Sequence, residues 1–495
     1  MPLFDTSVQE LKYKVLREIA RLEYENHLDA QHLLDIPNII IPDGTPPTMR
    51  CCIYKERAIL QERVKLAMGG NPDNPHVVEV LPIACDECPV DGIEVSAACR
   101  GCIAHRCQNA CPRDAISIIN HKAVIDKSKC VECGRCLAAC PYSAIVKNTR
   151  PCVNACKPGA IVIDGETSKA EINYDKCISC GACVYMCPFG AISDKSYITR
   201  AIRLMMDSEN NKNYKVYAVV APSIASQYND IPTEKVVAGV KALGFHSVIE
   251  AAWGADMVAW LEAKELVEKG FLTSSCCPAF VNYIKKNFPE LTEKISHNLS
   301  PMAQMGKCLK EMDPGCKVVF IGPCIAKKDE VLRPEVSEYV DCVLTFEEMQ
   351  AMIYAKHIDM KALDPIELDN ASYFGRVFAR SGGLGVAVEQ ALKEQGVSGE
   401  EFTLKPATCN GIQECRIALL KASKGLLPEN FIEGMACENG CIGGPACLSH
   451  SSKDKAQVDK YGQQAMEKTI TDAIGILGVV AQKQSPAATG GGQKA

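Results

Sequence analysis

Three things are missing from this chain. No apolar run approaches the roughly 18 residues a helix needs to cross a bilayer. No charged-then-apolar leader with a small-residue cleavage site precedes the first helical pattern, at Val8 to Leu16. No Lys/Arg-rich stripe marks a nucleic-acid face, and 54 basic residues against 60 acidic give a formal charge of -6. The expectation is a cytoplasmic protein with neither a membrane span nor a nucleic-acid partner. Apolar residues at 47% and charged residues at 23% of 495 are ordinary for a globular chain of two or three domains. Cysteine is not ordinary: twenty-nine of them point to a reducing, anaerobic compartment in which thiols serve metals rather than disulfides.

The cysteines are patterned. Cys130-x2-Cys133-x2-Cys136-x3-Cys140-Pro141 and Cys177-x2-Cys180-x2-Cys183-x3-Cys187-Pro188 are two copies of the bacterial ferredoxin run, in which the fourth cysteine of each copy ligates the other 4Fe4S cluster. That rule predicts one cubane on Cys130, Cys133, Cys136 and Cys187, and its partner on Cys177, Cys180, Cys183 and Cys140. Structural zinc also takes four cysteines from paired C-x2-C units, but the full run with its trailing proline argues for iron–sulfur. Eight more cysteines surround these runs: Cys85, Cys88, Cys99, Cys102, Cys107, Cys111, Cys152 and Cys156. Cys-Pro-Arg-Asp-Ala-Ile at Cys111, Cys-Pro-Tyr-Ser-Ala-Ile at Cys140, Cys-Lys-Pro-Gly-Ala-Ile at Cys156 and Cys-Pro-Phe-Gly-Ala-Ile at Cys187 are four versions of one half-ferredoxin ending, the mark of a duplicated unit. Two further 4Fe4S clusters are therefore expected. The crossed rule applied to the outer pair places one on Cys99, Cys102, Cys107 and Cys156 and the other on Cys85, Cys88, Cys111 and Cys152, with zinc at Cys85, Cys88, Cys99 and Cys102 as the competing assignment.

Beyond residue 200 apolar stretches alternate with helical ones, at 215–223, 233–243, 247–252, 256–269, 271–276 and 317–324. The alternation predicts an α/β domain with largely parallel sheets and functional loops after the strand ends. Three loops there carry cysteine: Ser274-Ser275-Cys276-Cys277-Pro278, Pro323-Cys324-Ile325-Ala326-Lys327-Lys328, and Glu433-Gly434-Met435-Ala436-Cys437-Glu438-Asn439-Gly440-Cys441. Together, in this order, they resemble the cofactor loops of the iron-iron ([FeFe]) hydrogenases.

The resemblance implies a ligand set, since soft thiolates are the usual ligands of iron–sulfur clusters. Cys277, Cys324, Cys437 and Cys441 match the ligands of a 4Fe4S cubane, which the residue matching Cys441 joins to a two-iron unit carrying CO, cyanide and azadithiolate. The whole is the H-cluster. Cys276 matches the thiol that passes protons to the distal iron, Lys327 a lysine that hydrogen-bonds cyanide, and Ser223 and Met435 residues packed on the two-iron unit. Their bland alternatives are a buried structural thiol, a surface charge and plain core packing; Lys328 is read as a solvated charge. Glu262 and Glu265, at i, i+3 in the helical stretch 260–266, match two relay glutamates with Ser296 between them, although by pattern alone such a pair is more often solvated.

The expected organisation is an N-terminal helical segment without an assigned role (1–80), a ferredoxin-like α+β iron–sulfur region (81–200), a two-lobed α/β catalytic domain with the H-cluster between the lobes (201–482) and a disordered tail (483–495). Cys51, Cys52, Cys308, Cys316, Cys342, Cys409, Cys415 and Cys447 are left as reduced core thiols. The resemblance spans about residues 80–450. It departs from the family pattern at Gly322 (methionine in well-studied members), Ala279-Phe280 (Gly-Trp), Gly443-Gly444-Pro445 and Met302 (commonly glutamine), which points to a divergent, group B-like branch. It implies reversible conversion of H2 into two protons and two electrons, ferredoxin as redox partner, and maturation proteins that insert the two-iron unit. The alternatives are a non-catalytic relative serving in iron–sulfur assembly, which loses active-site residues, a hydrogen sensor, which usually carries a signalling module, and a plain polyferredoxin, which leaves the three C-terminal loops without a role.

Overall fold

Two parallel sheets carry the second half of the chain. The computed structural model describes residues 4–89 and 92–475, so the expected tail at 483–495 lies outside the described residues. In the first sheet the order is Ser247–Glu250, Val216–Val220, Lys317–Gly322, Cys342–Thr345, every pair parallel. Its central strands are apolar on both faces, as strands covered by helices on both sides must be: Val216, Ala218, Val219, Val318, Val319 and Ile321 are all buried. The second sheet, also parallel, is ordered Leu272–Thr273, Phe431–Met435, Pro406–Asn410.

The helix Ala251–Lys269 follows the edge strand of the first sheet and leads into the second. It lies tightly on the helix Pro301–Met312 because Gly254 has no side chain; a Cβ there would come within 2.3 Å of the Pro301 carbonyl oxygen. Residues Ala251 to Ala259 are buried without interruption. All three cysteine loops follow strand ends: Cys276 and Cys277 come after Leu272–Thr273, Cys324 after Lys317–Gly322, and Cys437 after Phe431–Met435. Sites in open parallel sheets form at these carboxyl ends, and here the ends of two sheets converge.

The cysteine-rich region consists of two similar modules, one nested in the other. In the outer module Gly92–Val95 pairs antiparallel with Ile145–Asn148 and encloses a hairpin, Ile116–Ile119 with Lys122–Ile125. In the inner module Val78–Val80 pairs with Ile192–Asp194 and encloses the hairpin Ile161–Ile163 with Ala170–Ile172. The outer module is thus inserted between the first strand of the inner module and its remainder.

The four half-ferredoxin endings share one local geometry. The fourth residue of each, Asp114, Ser143, Gly159 and Gly190, has a positive φ of 46, 50, 70 and 57°. That turn aims the next amide back at the cysteine: Ala115, Ala144, Ala160 and Ala191 donate N–H to the Sγ of Cys111, Cys140, Cys156 and Cys187 at 3.3, 3.4, 3.1 and 3.2 Å. The isoleucine that follows each alanine is buried in its module's small core. Hydrogen bonds to the sulfurs are one of the means by which a protein tunes cluster potential.

Three N-terminal helices, Ser7–Tyr24, Ala30–Ile40 and Ile53–Ala67, brace this region against the catalytic domain. Thr6 caps the first by accepting from the Gln9 amide at 3.2 Å. Lys12 then reaches Asp194 of the inner module at 2.5 Å and Glu347 of the catalytic domain at 2.6 Å. Lys328, expected in solvent, is instead completely buried, paired with Asp194 at 2.8 Å and Glu348 at 3.0 Å. Burial without these carboxylates would be too costly for an ammonium; Lys12 and Lys328 with Asp194, Glu347 and Glu348 form a two-lysine, three-carboxylate knot at the joint. Among the described residues no helix is long and apolar enough to cross a membrane.

Candidate functional site

Between the two sheets lies a cavity of about 90 Å³ with Cys276, Cys277, Cys324 and Cys441 in its wall, together with Ser223, Lys327 and Met435. Cys437 does not line it. Its thiol faces Cys324, Cys277, Cys180 and Cys441, so it sits on the side toward the inner cysteine module. The structure therefore brings Cys277, Cys324, Cys437 and Cys441 together from three loops. They fit the cubane ligand set implied by the resemblance, with the cavity on the Cys441 side, where a two-iron unit would be held.

Other groups in the wall fit such an anionic, ligand-rich unit. Ser223 is fully buried and its Oγ has no hydrogen-bond partner. An orphaned buried hydroxyl costs about 1–3 kcal/mol unless something in the cavity completes it. Lys327 donates to Glu330 at 2.7 Å and to the Cys276 carbonyl at 3.4 Å, which leaves one of its three N–H groups for the cavity it lines.

The departures from the family pattern have physical counterparts. A Cβ on Gly322 would come within 2.7 Å of the Phe320 ring, and that ring, with Met302, lines the cavity in its place. Gly434 likewise lies flat against Phe280, where a Cβ would meet ring carbons at 2.2 to 2.4 Å.

From Cys276 a line of polar groups runs outward. Burial pushes the Cys276 thiol well above its ordinary range, with Glu262 the largest charge influence next to it. Glu262 is fully buried, and burial raises its carboxyl to about 7. Its Oε1 accepts from the Ser275 amide and hydroxyl, each at 3.3 Å. Its Oε2 has no partner: the Ser296 hydroxyl, close enough to lower the Glu262 pKa, gives its hydrogen to Glu265 at 3.2 Å. Because a hydroxyl both donates and accepts, rotation about one bond makes Ser296 a bridge between the two carboxylates.

Glu265 is held differently. Partial burial acts upward, but hydrogen bonds from Lys269 and His297 prevail and bring its pKa below the ordinary value. Two glutamates one helical turn apart are thus driven in opposite directions by their surroundings, the usual sign of divided proton roles. The solvated reading of this pair fails for Glu262, because the helix turns that face into the core. Sequence reasoning missed the groups at the outer end: Lys269, four residues after Glu265 at 2.7 Å, the exposed His297 at 2.7 Å, and the Asn298 side chain at 2.8 Å. The i, i+4 spacing could have found Lys269.

The sixteen wiring cysteines are all gathered into sets of four, but not in the predicted pairs. Cys99, Cys102, Cys107 and Cys140 surround one small cavity, and Cys111, Cys130, Cys133 and Cys136 another. Cys156, Cys177, Cys180 and Cys183 line a third. Cys152 has Cys187, Cys88 and Cys85 as its charge neighbours, which completes the fourth set. The crossing of the fourth cysteine holds within each module and not between the two long runs: Cys140 crosses to Cys99, Cys102 and Cys107, and Cys187 to Cys85, Cys88 and Cys152. The predicted sets Cys130/Cys133/Cys136/Cys187, Cys177/Cys180/Cys183/Cys140, Cys99/Cys102/Cys107/Cys156 and Cys85/Cys88/Cys111/Cys152 are therefore corrected. The proposed zinc set also dissolves, since Cys85 and Cys88 belong to one module and Cys99 and Cys102 to the other. Of the eight unassigned cysteines six are buried, whereas Cys51 is exposed and Cys52 half-buried, with sulfurs 3.9 Å apart.

The inner module abuts the catalytic site. Ile178 is part of the core that also contains Phe280 and Ile432, with Cys180, Cys277 and Cys324 packed against it. Gly181 lies under Ile325, where a Cβ would come within 2.6 Å of the Ile325 Cδ1.

Comparison with known proteins agrees with this geometry. Residues 214–445 match the iron-only hydrogenase large subunit, C-terminal domain, and residues 98–144 and 122–188 each match a 4Fe-4S dicluster domain. Iron hydrogenase 1 of Clostridium pasteurianum is 30% identical over 406 residues, covering 70% of this chain and 69% of its own length. The periplasmic [Fe] hydrogenase large subunit of Nitratidesulfovibrio vulgaris is 30% identical over 66% of this chain and 86% of its own length. Cytosolic iron-sulfur assembly component 3 of Mus musculus is 24% identical over 51% of this chain and 66% of its own length. With thiolate sets for 4Fe4S clusters, a parallel-sheet domain that closes over a cysteine-lined cavity, and two hydrogenases matched at this level, the chain belongs to the iron-only hydrogenase large-subunit family.

Proposed function

We propose that this chain is a working hydrogenase that interconverts H2 with two protons and two electrons, and exchanges the electrons with ferredoxin through four 4Fe4S clusters. One observation carries the reading. A buried thiol in the cavity wall, Cys276, is followed by a carboxyl raised to about 7, a serine hydroxyl and a second carboxylate near the surface. An iron–sulfur carrier has no use for such a line, whereas an enzyme that makes or consumes protons in a closed cavity requires one.

The H-cluster, when bound, supplies the iron chemistry that splits or forms H2. Cys277, Cys324, Cys437 and Cys441 would hold it, and Lys327 and Ser223 would offer donors to its anionic ligands. Cys276 accepts and releases a proton at Sγ, Glu262 at its carboxyl oxygens, and Ser296 passes it to Glu265. Cys437 faces Cys180 of the set Cys156, Cys177, Cys180 and Cys183, so the inner module would be the next station for electrons, apart from the polar line that begins at Cys276. The domain bounds 81–200 and 201–482, a cytoplasmic setting and dependence on maturation proteins belong to the same reading.

The similarity to an iron–sulfur assembly component favours a second reading, a non-catalytic relative. It is tested by maturing the protein anaerobically with the two-iron unit and recording the infrared bands of metal-bound CO and cyanide with and without hydrogen. Bands that shift under hydrogen are expected. Full cubane loading without such bands would sink the enzymatic reading.

A further inference from the structure

The charge of the molecule is unevenly distributed. Residues 92–150, the outer cysteine module, hold nine Lys and Arg against four Asp and Glu, while the rest of the chain holds 45 against 56. Residues 151–200, which carry most of the inner module, are balanced at five against five. Of the nine, Arg150 alone is buried. Lys129 sits 3.8 Å from Asp126 and Lys127 donates to the Ile93 carbonyl, but among the described residues the exposed Arg100, Arg106, Arg113, Lys122, Arg135 and Lys147 form no ion pair. Like charges crowded on a small module repel one another and weaken it, so their benefit is to be sought outside the chain.

Six large apolar side chains are exposed among these charges; Ile119, Val124 and Val146 stand on strands, and the other three on cysteine loops. Ile103 is 97% exposed, Val131 55% and Tyr142 54%. Each sits on a cysteine loop: Ile103 directly after Cys102, Val131 directly after Cys130, and Tyr142 two residues after Cys140. Of the sixteen wiring cysteines, Cys133 of this module is the exposed one. Each cluster site of the module is therefore near the surface, capped by an apolar tip and flanked by unpaired cations. The inner module is packed against the catalytic domain and the N-terminal helices instead; Val162 and Met186 are exposed on it, but residues 151–200 are balanced in charge and none of its cysteines is exposed.

We propose that the outer module is the docking surface for a small acidic protein that carries single electrons. Its unpaired cations steer and orient the carrier, and Ile103, Val131 and Tyr142 make the close apolar contacts that bring the two redox centres together. Charge complementarity of this kind acts mainly on the rate of encounter and on its salt dependence. The inference rests on the reading of the four cysteine sets as electron-carrying clusters, and identifies where that wire begins.

The test needs no hydrogen. A chemically reduced ferredoxin of strongly negative charge is mixed with the full-length, cluster-loaded, oxidised protein, and the second-order rate of cluster reduction is followed by stopped-flow absorbance over a range of salt. In Arg106→Glu/Arg113→Glu/Arg135→Glu the low-salt rate is expected to fall at least about tenfold and the salt dependence to flatten. Iron content shows that the clusters remain. A remote reversal of equal charge, Lys264→Glu/Lys393→Glu/Lys421→Glu, is the comparison. The proposal is overturned if the first variant stays within about twofold of the parent, if the remote variant loses as much, or if duplex DNA binds the module as tightly as the ferredoxin does. Because only cluster reduction is read, loss of hydrogen chemistry would overturn the enzymatic reading and leave this one standing.

Discussion

The proposed electron and proton routes start from different parts of the cysteine-lined site, Cys437 and Cys276, and they are built differently. On the Cys437 side the neighbour is Cys180 of a small module with its own modest core, stapled by thiolates. On the Cys276 side Glu262 and Ser296 belong to a helix and a loop set in the large core of the catalytic domain. Electrons pass between metal centres without contiguous atoms, so an electron route needs only fixed cluster positions. A duplicated metal-stapled module provides those with little hydrophobic core. Protons move between groups at hydrogen-bond distance, so their route needs individual side chains held to fractions of an ångström. A well-packed interior provides that. Each proposed route is therefore vulnerable at a different place: the first at its ligands and the joint between modules, the second at single atoms.

The strongest test is on the proton side. Glu262→Gln keeps shape and burial but cannot cycle a proton, and hydrogen turnover is expected to fall about 10²- to 10⁴-fold with iron content unchanged. A loss under about threefold would mean that another route carries the protons. The joint comes next. Lys12→Ala strips one cation from the buried knot with Asp194 and Glu347, a change expected to cost about 3–5 kcal/mol because carboxylates are left underpaired. Thermal unfolding of the loaded protein measures it, and an unshifted midpoint would show that the N-terminal helix does not brace the two regions.

The same glutamate makes a smaller, pH-dependent prediction. Its carboxyl is raised by burial to about 7 from an ordinary 4.5, so the folded state binds the proton more tightly than the unfolded one. That preference stabilises the fold fully below pH 4.5 and is lost as pH rises to 7, a change of about 3 kcal/mol. Glu262→Gln has no proton to lose, so it should gain stability relative to the parent between pH 5 and pH 8. A constant difference between the two midpoints would refute the shift. On the electron side the expected change is compositional. Cys111→Ser and Cys133→Ser fall in one set, so the double variant should lose about the same four irons as either single variant. Loss of about eight would restore the pairing across the two long runs.

Much of this was legible in the chain. The four half-ferredoxin endings predict four equivalent turns because cysteine, turn residue, alanine and isoleucine each do one local job within six residues. The three C-terminal loops were legible for a related reason: in an α/β domain, loops after strands carry the site, and cysteine there is conspicuous. Glu262 and Glu265 could be located on a helix but not told apart, since which face turns inward depends on what the helix packs against. Lys328 was misread for the same reason: nothing near it in sequence reveals that Asp194 and Glu348 meet it in the core.

The chemistry available to this protein is written in its chain: thiolates in clusterable spacing, a second thiol beside a candidate ligand, and paired glutamates at i, i+3. Those are short-range facts, set by residue type and by distances of a few positions along the backbone. Which cysteines come together is set by the fold, because the strand pair Val78–Val80 with Ile192–Asp194 closes around an inserted module and exchanges the partners that linear order suggests. The fold also decided that basic residues scattered through 96–150 stand together on an exposed module, although no stripe is visible in the sequence. Pairing and burial are properties of segments far apart in the chain, and the energy that fixes them comes from contacts that exist only once the chain has folded.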